Sequence, residues 1–83
     1  MRTPIATPHQ LARLLVTARK ARGWSQAELA RKLGLSQSRV SFLELHPEAL
    51  SLEQLLNWLA ALHLELEVGP RGTHTAEPSP PEW

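Results

Sequence analysis

Gln37, Ser38, Arg39 and Ser41 crowd one short stretch of the chain, and their side chains share one kind of chemistry. Glutamine can place two hydrogen bonds on adenine, arginine can place two on guanine, and serine can serve either base or a phosphate. Phe42 adds an apolar face. It suits a thymine methyl, or else packing against a neighbouring helix. These are recognition groups. No nucleophile, base and orienting acid form a catalytic set, and no glycine loop is built to cradle a phosphate. His9, His46, His63 and His74 lack metal-ligand spacing. The chain has no cysteine, which removes disulfides and thiolate metal sites. Neither an enzyme nor a cofactor or metal is expected.

To reach base edges, this stretch must be the exposed start of a helix that other helices hold in place. The sequence supplies them. A first helix starts at Pro8, with Thr7 as N-cap and Gln10 completing a Thr-x-x-Gln box. Leu11, Leu14, Leu15, Ala18 and Arg22 share one face, and Gly23 marks its end. A second starts after Ser25, with Glu28 completing Ser-x-x-Glu and Leu29, Ala30 and Leu33 facing inward. Gly34 turns the chain, and a third helix starts after Ser36. Leu35 and Val40 are placed as a hydrophobic staple across that cap. Two short helices joined by a glycine turn form the layout of a DNA-reading helix-turn-helix.

With Val40 and Leu43 pointing inward, Ser38, Ser41, Phe42 and Leu45 lie opposite, and Gln37 and Arg39 lie on the flanks. Gln26, at the start of the second helix, is placed to grip a phosphate with its side chain and the free backbone N–H groups there. Arg31 and Lys32 read as solvated groups or phosphate contacts that position without specifying. Pro47 ends the third helix. A fourth follows Ser51, with Gln54 in its box, and runs to about His63. Leu52, Leu55, Leu56, Leu59 and Leu62 are its apolar residues, with Trp58 alongside. Trp24 and Trp58 are expected in the core or at a dimer surface.

The net charge of +1 conceals a split. Residues 1–43 hold eight basic side chains against the single acid Glu28, and residues 44–83 hold Arg71 against seven glutamates. A basic half suits a polyanion, and an acidic half suits a protein partner or keeps the far side off DNA. The chain is expected to be one small domain in the bacterial cytoplasm, at the nucleoid. No apolar run approaches the ~20 residues of a membrane span, and no secretion signal is evident.

Leu64 to Val68 alternates apolar and acidic residues, the period of a half-buried strand. A lone strand needs a partner. The simplest is the same strand of a second copy, through Leu64, Leu66 and Val68, across a two-fold axis. The other reading is a helical continuation. Residues 69–83 form a Gly- and Pro-rich tail expected to be disordered, and Trp83 at its end is an aromatic anchor suited to a partner's pocket. The divisions are an arm at 1–6, the helical domain at 7–63, the strand at 64–68 and the tail at 69–83.

The run from Arg19 to Glu44 resembles the Xre/Cro family of regulators. It carries Ser-Gln-Ala-Glu-Leu-Ala from Ser25, the turn glycine Gly34, and the Leu43–Glu44 exit. The resemblance covers about Leu11 to Leu62. It implies a mainly α, four- to five-helix, lambda-repressor-like domain with one short C-terminal strand pairing across a homodimer. It makes Gln26 and Gln37 DNA contacts, puts Ser38, Arg39 and Ser41 at reading positions, and pairs Arg19 with Glu44 inside the fold. Phe42 stands where many relatives carry a polar residue, which leaves the base preference there open. The fourth helix running straight into a strand, from Leu43 to Val68, is similar to HipB-type antitoxins. That implies a homodimer on palindromic operator DNA of its own operon, and a kinase toxin of the HipA or HipT type as partner. The alternative is a free-standing Xre-family repressor without a toxin. A fold that has lost DNA binding fits poorly with the basic half and the polar set at Gln37 to Ser41.

Overall fold

Among the described residues, a hydroxyl side chain opens every α-helix. In the computed structural model, which describes residues 2–71, Thr7, Ser25, Ser36 and Ser51 each accept a bond from the backbone N–H three residues on. Each satisfies one donor that a helix start leaves free, and such a cap contributes about 1 kcal/mol. Gln10, Glu28 and Gln54 reach back to the cap N–H and close three of these boxes. The helices so begun are α1 (Pro8–Ala21), α2 (Gln26–Leu33), α3 (Gln37–Leu45) and α4 (Leu52–Ala61), with a 3-10 turn at Pro47–Ala49. Pro47 is buried and stops α3, since proline cannot donate to the preceding turn.

Leu15 of α1, Leu29 and Ala30 of α2, Val40 and Leu43 of α3, and Trp58 and Leu59 of α4 make one core, closed by Leu62. α2 packs on α3 and α4, and α1 packs on α3 and the 3-10 turn. Leu35 packs against the core just before α3. Gly34 reverses the chain there at φ 71°, and the Leu35 N–H bonds the Ala30 carbonyl at 2.9 Å. A Cβ at Gly34 would meet nothing within 4 Å, so backbone conformation alone calls for glycine.

Two expectations need correction, and a third is not shown. α4 stops at Ala61, short of His63. His63 adopts φ 60° and Leu64 donates to the Leu59 carbonyl at 2.8 Å, the same reversal as at Gly34 but without a glycine. The reversal folds Leu64 back against the core, which ends any helical continuation. Second, the inward stripe of α4 is Leu55, Trp58, Leu59 and Leu62, spaced i, i+3, i+4, i+7. Trp58 is fully buried, whereas Leu52 and Leu56 are turned outward, 66% and 45% exposed. Third, no strand occurs among the described residues, and residues 65–68 are exposed without regular structure. A single chain holds no second strand to complete the ladder.

No helix among the described residues is long and apolar enough to cross a membrane. The expectations for residues 72–83, Trp83 included, lie outside the described residues.

Candidate nucleic-acid interface

α3 is fixed from below. Val40 and Leu43 are completely buried, and Glu44 is buried beside them. The Glu44 carboxylate accepts three hydrogen bonds: from Arg19 Nε at 2.7 Å, from Arg19 Nη2 at 3.2 Å, and from Gln26 Nε2 at 2.8 Å. Arg19 Nη1 also donates to the Trp24 carbonyl at 2.9 Å. One carboxylate thus joins α1, the start of α2 and the end of α3. Two-pronged arginine–carboxylate contact fixes direction as well as distance, so α3 is held at a set angle to the helices behind it.

The opposite side of α3 faces outward. Gln37, Ser38 and Arg39 are exposed and Ser41 is half-buried. Ser36 caps the helix through the Arg39 N–H at 3.1 Å, and its hydroxyl lies 3.3 Å from that of Ser38. Phe42 is 44% exposed and lies outside the buried core. Arg39 sits over its ring with Cζ 5.5 Å from the centroid. The His46 ring lies 4.8 Å from it, tilted by 37°. The exposed start of α3 is therefore a row of polar donors and acceptors ending in an aromatic group.

Gln26 occupies a different position from the one its place in the sequence suggests. One amide hydrogen is committed to Glu44. Arg31 and Lys32 do not join the row on α3. They line a shallow hollow with Trp24 and Glu28. Lys32 Nζ stands 4.6 Å over the Trp24 ring, and Arg22 approaches the same ring at 5.3 Å. Such contacts contribute ~0.5–1 kcal/mol at exposed sites. The Glu28 carboxyl is held below its ordinary range, first by the Ser25 backbone N–H, with Arg31 and Lys32 acting the same way.

Two structural contacts leave no trace in the sequence. Arg22 Nε donates to the Leu62 carbonyl at 3.2 Å, tying the end of α1 to the end of α4. Arg2 pairs with Glu67 at 2.9 Å, bringing the N-terminal arm to the extended segment after α4. The partner of Arg22 is a backbone oxygen, which any residue would provide. In the segment proposed for pairing, Leu64 packs on the chain's own core while Leu66 and Val68 are exposed.

A family model described as helix-turn-helix matches residues 15–68. The antitoxin HipB of Escherichia coli O6:H1 is 37% identical over 62 residues, which cover 75% of this chain and 66% of that protein, just under two thirds. The antitoxin HipB of Escherichia coli K12 is 36% identical over 62 residues, covering 75% of this chain and 70% of the relative. Among solved structures, a HipB–O1–O2 complex has a TM-score of 0.75 at 32% identity, covering 83% of this chain and 100% of that one. A HipA–HipB–O2–O3 complex has a TM-score of 0.76 at 31% identity, covering 84% and 99%.

Proposed function

The chain belongs to the helix-turn-helix family and stands with its HipB-like antitoxins, and on that premise we propose that it binds DNA sequence-specifically, represses its own operon as a homodimer, and binds a kinase toxin. The observation that carries the reading is the two-sided α3. Its inner side is locked by Val40, Leu43 and the Glu44 clamp, and its outer side presents Gln37, Ser38 and Arg39 to solvent. The groups of this exposed polar row match base edges in the major groove.

In this reading Gln37, Ser38, Arg39, Ser41 and Phe42 meet base edges. Gln26 and the first turn of α2 hold a phosphate, and the basic half supplies the salt-dependent attraction. Arg31 and Lys32 add to that attraction from the Trp24 side. Leu66 and Val68, exposed after α4, pair with the same segment of a second copy, and Leu64 anchors the pairing to the core. A dimer places two α3 helices on two half-sites about one helical turn apart, so the operator is palindromic. The solved HipA–HipB complex supports a HipA-like partner; in this reading it is a kinase toxin of the HipA or HipT type, with Trp83 reaching it. No catalytic chemistry is required of this chain.

The test is binding to duplex DNA from upstream of its own coding sequence, measured by fluorescence anisotropy against a scrambled duplex at several salt concentrations. The reading expects at least about 10³-fold preference for the native duplex. Equal affinity for both would sink sequence-specific repression. Leu66→Pro should halve the mass seen by light scattering, because proline cannot donate to a ladder. A mass still equal to two chains removes this segment from the interface. A pull-down from native cells that yields DNA but no kinase leaves a free-standing repressor instead.

A further inference from the structure

Arg39, Phe42 and His46 fall at i, i+3 and i+7 and form one stripe along α3. Within it the Arg39 guanidinium is already placed against the Phe42 ring, 5.5 Å from Cζ to centroid. His46 backs the ring from the C-terminal side at 4.8 Å. Neither Arg39 nor Phe42 is buried, so an exposed phenylalanine stands on a polar face. We propose that Arg39 and Phe42 act as a single reading unit that selects a guanine with a thymine beside it.

The argument is geometric. An arginine that bonds guanine O6 and N7 lies along the base edge, with its flat faces open to neighbours. Here one neighbour is Phe42, so the guanidinium keeps fewer orientations before DNA arrives. Less side-chain freedom is then lost on binding. The same ring offers an apolar surface on the groove side. In the major groove the apolar group is the thymine C5-methyl. Successive bases lie about 3.4 Å apart, so a cation and a ring separated by 5.5 Å span two adjacent base pairs and no more. Phe42 thus has two roles: it positions Arg39, and it contacts the methyl group itself.

This inference rests on the DNA-binding reading, and the experiment separates the two. Wild-type protein and Phe42→Ala are each used to select from a pool of random duplexes. The wild type should enrich a guanine adjacent to a thymine. Phe42→Ala should keep the rest of its motif, lose the thymine and relax at the guanine. On the duplex enriched by the wild type, that thymine is then exchanged for deoxyuridine, which removes only the methyl. Wild-type affinity should fall about threefold, while Phe42→Ala should not respond. Replacing the guanine by 7-deazaguanine should cost the wild type roughly tenfold and Arg39→Ala much less. A wild-type motif without the adjacent pair, or a deoxyuridine effect equal in both proteins, overturns the reading unit. Failure of the wild type to enrich any motif overturns sequence-specific DNA binding itself, and the unit with it.

Discussion

The start of α3 and the surface of α4 are built from opposite materials, although the end of α3 also exposes Phe42 and Leu45. α3 turns its apolar pair inward and exposes Gln37, Ser38 and Arg39. α4 also buries an apolar stripe, yet exposes two more leucines, Leu52 and Leu56, and is followed by exposed Leu66 and Val68. The charge split runs along the same division, basic up to α3 and acidic beyond it. A polar, basic surface gains by meeting a hydrated polyanion. An apolar, acidic one gains by losing water against another protein. The two regions meet at Glu44, an acid that belongs in sequence to the acidic half and in space to the anchor of the basic one.

Glu44→Ala tests whether the two regions depend on that meeting point. It leaves Arg19 buried without its carboxylate and frees Gln26, so unfolding in denaturant should show a loss of about 3–5 kcal/mol. DNA binding should fail at temperatures where the residual fold persists. A loss below about 1 kcal/mol would mean that water replaces the carboxylate and that α3 is held by packing alone.

Arg39→Ala and Lys32→Ala probe the division within the basic region. Removing Arg39 should weaken binding to the native upstream duplex by about 1–3 kcal/mol and relax one base position. Removing Lys32, which stands on Trp24 away from the row on α3, should weaken native and scrambled duplexes alike. Equal losses on both duplexes for Arg39→Ala would erase the distinction between reading and anchoring residues.

On the α4 side, His63→Gly addresses the reversal that folds Leu64 onto the core. A side chain at φ 60° costs energy that glycine avoids, and the variant should be more stable by about 1 kcal/mol in thermal or denaturant unfolding. A destabilised variant would show that the imidazole makes a contact outweighing the backbone cost.

The smallest effect belongs to Glu28. Its carboxyl titrates below the ordinary glutamate value of 4.5, with the Ser25 backbone N–H as the main cause. The charged form therefore favours the fold. That contribution is present above the ordinary value and lost as pH falls through the lowered one. Glu28→Gln keeps the capping geometry without the charge, so its stability should decline slightly less on acidification than that of the wild type. Parallel curves would dismiss the carboxylate as a contributor.

The local features of this chain were readable from its residues because their causes are local. Thr7, Ser25, Ser36 and Ser51 act on N–H groups three residues away, and Gly34 acts on its own φ. Val40 and Leu43 point inward because the helical period places them together. The Arg19–Glu44 contact was reached only through a family resemblance. Tertiary structure alone decided the rest. It committed Gln26 to Glu44, turned Leu52 and Leu56 of α4 outward, and gave Arg22 a backbone oxygen 40 residues away. It also ended α4 at Ala61 and set His63 at a left-handed angle, where packing of Leu64 on the core outweighs an unfavourable backbone conformation. Each of these outcomes depends on a partner or a packing competition that exists only once the helices have come together.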